Sequence, residues 1–100
     1  MDIRELDAKL KGITVTYYAY WKEIEGRYTS ETSLFIGKIK IASYGYNTNR
    51  SKDAVNDQYR VTSTLPGINP KLGTYATVTE CEARCIGVAI HFLKMLGHNI

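Results

Sequence analysis

The chain has 100 residues, of which 44% are hydrophobic and 23% charged, and its formal net charge is +3. That length supports a single domain, residues 1–100, with one core. No apolar run approaches the roughly 20 residues of a membrane span, and the N-terminus is charged without an apolar secretory core, so a folded protein of the cytosol is expected.

Asp2 to Lys11 reads as a short helix capped by Asp2, with Ile3, Leu6 and Leu10 as its apolar stripe and Gly12 as its stop. Ile13 to Ile24 is rich in β-branched and aromatic residues and reads as a strand. Its alternation puts Ile13, Val15, Tyr17, Ala19 and Trp21 on the core side. Leu34 to Tyr44 reads as a second strand, pairing antiparallel with the first. Here Phe35, Gly37, Ile39 and Ile41 are the inward set, and Ile36, Lys38, Lys40, Ala42 and Tyr44 the outward set. Residues 45–56 form a polar loop. Gln58 to Thr64 is a third strand with Tyr59, Val61 and Ser63 facing in, followed by a second loop, LPGINPKLG.

Thr77 to Gly97 is the dominant signal. Cys81, Cys85, Val88, Ala89, Phe92 and Leu96 recur at helical spacing, and Ile86, Ile90 and Leu93 widen the stripe. Thr77 with Glu80 and Thr79 with Glu82 are overlapping capping boxes. Thr79 is the preferred cap because the apolar spacing starts at Cys81, and Gly97 is the C-terminal stop. The expected fold class is therefore α+β: a two-layer domain in the order α-β-β-β-α, with a three-stranded antiparallel sheet covered on one face by the long C-terminal helix.

The chemistry-bearing residues do not assemble into a catalytic pattern. No Gly-rich phosphate loop or zinc-protease motif occurs, and the lysine of GKIK lacks phosphate-loop spacing. Cys81 and Cys85 stand four apart on one helix face and read as small buried hydrophobes. A nucleophilic Cys81, whose thiol the helix N-terminus could acidify, would need a base, and His91 is about 15 Å up the helix. No catalytic residue, metal ligand or cofactor is expected.

A working surface is more legible. The outward set of the three strands collects Tyr18, Tyr20, Lys22, Lys38, Lys40, Tyr44 and Arg60, and the neighbouring loop adds Arg50 and Lys52. Rings between cations suit nucleic acid, because bases stack on rings and cations neutralise phosphate. The same mixture suits a protein interface, where tyrosine and arginine dominate hot spots. It is also what a soluble strand face looks like.

The run Leu72-Gly73-Thr74-Tyr75-Ala76-Thr77, leading into Glu80, Glu82-Ala83-Arg84 and Ala89-Ile90, resembles the strand-to-helix passage of phage-integrase arm-binding domains. The resemblance implies a three-stranded sheet that reads DNA, backed by one helix. It covers about a quarter of the chain; the strands here lack that group's dense arginine and tryptophan, and there is an extra N-terminal helix. The element order also resembles double-stranded RNA-binding domains, but the basic cluster they carry at the start of the last helix is replaced by Glu80 and Glu82. In size and general build the chain is similar to small phage-encoded inhibitors, including anti-CRISPR proteins. The expected function is thus a non-enzymatic protein that docks on a protein partner, such as a member of a nucleic-acid-handling complex. The alternative is direct nucleic-acid binding by the sheet face. Glu23, Glu31, Asp53 and Asp57 dilute the basic charge and favour the protein partner.

Overall fold

A computed structural model describes residues 2–13, 18–26, 30–48 and 55–98. The elements are α1 (Ile3–Ile13), β1 (Ala19–Glu25), β2 (Ser30–Ile36), β3 (Ile39–Tyr46), a single 3-10 turn (Val55–Asp57), β4 (Tyr59–Thr62), β5 (Lys71–Tyr75) and α2 (Val78–Met95). The strands form one antiparallel meander in the order β1-β2-β3-β4-β5. The class is α+β as expected, but among the described residues the sheet has five strands where the sequence pattern suggested three.

Each extra strand has a physical reason. Leu34 to Tyr44 is not one strand but a hairpin that folds back at Gly37-Lys38. Gly37 has φ +59, which an L side chain resists, and glycine at the first of two turn residues is a known hairpin signal. Residues 30–33, read as loop, start β2, and β3 runs on through Gly45 to Tyr46. The end of LPGINPKLG, also read as loop, becomes β5 by pairing with β4. Its two prolines precede the paired residues, so they remove no ladder hydrogen bond.

The hairpin also reverses part of the expected facing. Leu34 pairs with Ala42 but Phe35 with Lys40, so β3 carries a bulge at Ile41. Ile41 and Ala42, adjacent in sequence, are both buried. The carbonyl of Ile41 accepts a 2.6 Å hydrogen bond from Ser63 Oγ, which in turn accepts from the Leu65 N–H. Ile36, Ala42 and Tyr44, expected outside, therefore belong to the core side. Phe35, expected inside, lies on the other face, and Ile39 is half exposed.

Both helices cover the core face. In α1 the Glu5 N–H donates to Asp2 Oδ1 at 3.0 Å, and Leu6 and Leu10 are buried. This helix passes the expected stop at Gly12 and ends at Ile13, so Ile13 is helical and β1 begins only at Ala19. The rest of the expected first strand, residues 14–17, lies outside the described residues. The Ala19 N–H donates to Asp7 Oδ1, tying the start of β1 to α1.

In α2, Cys81, Cys85, Ile86, Val88, Ala89 and Leu93 are buried against Leu34, Ile36, Ile41, Ala42 and Val61. Phe92 is only partly buried, and Leu96 is 59% exposed, so the stripe centres on Cys85 and Ala89 and stops short of Leu96. The N-cap is Thr77, not Thr79. Thr77 is extended (φ −129, ψ 155), and its Oγ1 accepts from the Glu80 N–H at 3.3 Å. The apolar stripe starts one turn later than the helix because the first turn lies at the rim of the core. At the other end, the Gly97 N–H donates to Lys94 O and the His98 N–H to Leu93 O, with Gly97 at φ +91, which is a Schellman stop. Among the described residues no helix is long and apolar enough to cross a membrane.

Candidate interaction face

Strand alternation gives the sheet a second face, turned away from both helices. Its residues can be read off the register. One row is Tyr20, Phe35 and Lys40; the next is Lys22, Ser33, Ser43 and Thr62; the third is Ile24, Glu31, Gly45, Arg60 and Thr74. Ser33 and Ser43 sit at the base of the middle row, buried, with their hydroxyls 2.7 Å apart.

At the β1–β3 end three rings form a ladder. Tyr20 stacks on Phe35 with centroids 5.4 Å apart and planes at 10°. Tyr18 leans on Tyr20 at 5.1 Å and 36°. Backbone geometry fixes this ladder. The Gly37 N–H donates to Tyr18 O at 3.0 Å, and the Tyr20 hydroxyl donates to Gly37 O at 2.8 Å. The hairpin turn that the sequence reading passed over is thus the clamp that holds the rings. Tyr18 is 58% exposed, whereas Tyr20 and Phe35 are half-buried.

The cations surround the ladder. Lys22 Nζ lies 6.0 Å from the Phe35 centroid, within reach of a cation–π contact. Lys40 stands opposite Phe35 in the register, and Lys38 is exposed in the turn beside Gly37. Farther across the face, exposed Arg60 and Lys71 border a shallow depression of about 650 Å³ with Thr62, Thr64 and Thr74 on its walls. The Thr74 hydroxyl donates to Asp57 Oδ1 at 2.7 Å.

Of the expected surface residues, Tyr18, Tyr20, Lys22, Lys38 and Lys40 therefore come together, and Arg60 shares their face at the opposite side. Tyr44 does not belong to it. It lies under α2 with its ring edge-on to Trp21 at 5.9 Å, and burial raises its hydroxyl pKa although a hydrogen bond with Thr32 pulls the other way. Arg50 and Lys52 lie outside the described residues. Phe35 and Lys71 are additions the sequence reading missed. A two-residue Gly-Lys turn flanked by Ile36 and Ile39 was the signal for the first. For Lys71 no local signal was available, because β5 exists only through its pairing.

The cysteines present the opposite chemistry. Both are fully buried free thiols. Burial first, then the charges of Glu80 and Glu82, pushes Cys81 up to about 11; burial first, then Cys81 and Glu82, pushes Cys85 up to about 12. The acidifying effect expected of the helix N-terminus on Cys81 is thus outweighed by loss of solvent. Among the described residues no group of three or more metal-ligating side chains occurs.

No protein-family model matches this chain, and neither a curated protein nor a solved structure is significantly similar to it.

Proposed function

We propose that this chain is a small non-enzymatic binding protein that docks on a protein partner through the Tyr18–Tyr20–Phe35 face, in the manner of phage-encoded inhibitors. The observation that carries this reading is the clamped ring ladder with Lys22 beside it. Rings already held in place lose little freedom on binding, and tyrosine is enriched among interface hot spots. The cations call for a partner surface that is acidic at its rim. The buried, protonated thiols lend support to a non-catalytic role.

A second reading is direct nucleic-acid binding, favoured by Arg60 and Lys71 at the threonine-walled depression of the same face. It is the weaker one because Tyr20 and Phe35 stack on each other and offer few open ring faces for bases. Chromatography on immobilised DNA separates the two. The protein-partner reading expects elution below physiological salt. Nucleic-acid binding expects retention above it, with a salt slope that falls by about two when Arg60 and Lys71 are both changed to alanine.

A further inference from the structure

The helical side of the molecule carries a second feature that the sheet face does not explain. Gly87 lies in the middle of α2, on its exposed side, and a Cβ built there would meet nothing within 4 Å. Glycine is the poorest ordinary residue for a helix interior. Among the described residues no close packing calls for it. Glycine in a helix does allow another backbone to approach closely.

The space over Gly87 is a cleft of about 360 Å³ between α2 and the segment that leads into β5, at the small end of ligand pockets (about 300–1,000 Å³). Its walls are apolar on one side, from Ile68, Leu72 and Val88. Arg84 and His91 stand one turn before and one turn after Gly87 on the same helical stripe. Arg84 Nε donates to Leu72 O at 3.4 Å, which holds the guanidinium at the rim. Among the described residues no carboxylate lines the cleft. The half-exposed Met95 lies beside Gly67, which lines the cleft, its Cε 2.8 Å from where a Cβ on Gly67 would stand.

We propose that this cleft binds an extended peptide segment of a partner, with a carboxylate at Arg84 and an aliphatic side chain between Ile68, Leu72 and Val88, its backbone passing over Gly87. The guanidinium supplies paired N–H donors for the carboxylate. The missing Cβ supplies the clearance. A site here is independent of the sheet face and would let one molecule bridge two chains.

The test is an amide NMR titration of the whole protein with the blocked tripeptide Leu-Glu-Leu, its Leu-Gln-Leu counterpart, and inorganic phosphate. The proposal expects saturable shifts at Ile68, Asn69 and Gly87 with the glutamate peptide, and at least tenfold weaker binding of the glutamine peptide. Gly87→Leu should abolish binding, while the gain in helix propensity raises Tm by about 4 °C. Arg84→Ala should weaken binding about tenfold. The proposal is overturned if no saturable shift occurs, if Gly87→Leu binds like wild type, or if phosphate saturates these amides while the peptide does not, which would make this a free-anion site.

Discussion

The two faces of the sheet alternate along the same strands, yet they are held in opposite ways. On the helix side, Leu34, Ala42 and Val61 are fully buried and interlock with Cys81, Cys85 and Ala89. On the other side, rings and lysines lie over a base of two serines, fixed by a hairpin turn and side-chain contacts. The first face is organised by exclusion of water, so its members should be felt in stability. The second is organised by local geometry, so its outermost members should be felt in binding alone. The bulge at Ile41 is where the two meet, because it puts two successive residues on one face.

The largest expected effect breaks the first face. Leu34→Ala should cost about 2–5 kcal/mol in urea unfolding, the range for deleting a fully buried leucine. Tyr18→Ala, on the opposite face and 58% exposed, should stay within about 0.5 kcal/mol of wild type. Equal losses would mean that the second face is covered too. Phe92→Ala should fall below the Leu34 value, because its ring is only partly buried.

The turn comes next. Gly37→Ala places a side chain at φ +59 and should cost about 1–2 kcal/mol. It should also loosen the ring ladder, visible as a reduced near-ultraviolet circular dichroism signal from the tyrosines. The Tyr20 hydroxyl bond to Gly37 O gives that ring a structural duty as well, so Tyr20→Phe should cost about 1 kcal/mol.

The helix cap is of similar size. Thr77→Ala should cost about 1 kcal/mol and Thr79→Ala almost nothing, read as melting temperatures of the two variants. The reverse order would move the start of α2 two residues on.

The cysteines sharpen the comparison through pH. Their folded pKa values stand above the roughly 8.5 of an unfolded thiol. Between 8.5 and about 11–12 the native state holds protons that the unfolded chain has released. Stability from these groups is therefore full below pH 8.5 and declines as pH rises through that window. Urea midpoints measured from pH 8 to 10 should fall, and part of that fall should disappear in Cys85→Ala. A decline unchanged by that substitution would assign it to other groups.

Much of this architecture was legible in the sequence, for identifiable reasons. The long helix and Leu6–Leu10 carry a period that only one structure satisfies, and Ala19, Trp21 and Val61 face the core as alternation demands. The hairpin at Gly37 was hidden because Lys38, Ile39, Lys40 and Ile41 carry a period-two alternation straight through the two-residue turn. The facing of Ala42 and Tyr44 was hidden because a bulge shifts the period by one, and a bulge is set by the partner strand. Thr79 looked like the cap because apolar spacing marks where a helix meets the core, not where its hydrogen bonds begin. The lysines and tyrosines around Phe35 were found by strand alternation, but their clamp was not, since it depends on the turn.

The central claim is that the Tyr18–Tyr20–Phe35 face is a docking surface for a protein. Its most direct test is quantitative affinity capture from the source cell with wild type, a Tyr18→Ala/Lys40→Ala variant and a Leu34→Ala control. All three should be compared at matched folded fraction and after nuclease treatment. The account predicts at least one protein whose recovery falls tenfold or more with the face variant while the variant's urea midpoint stays at the wild-type value. Recovery unchanged in the face variant, or lost only after nuclease treatment, would contradict it.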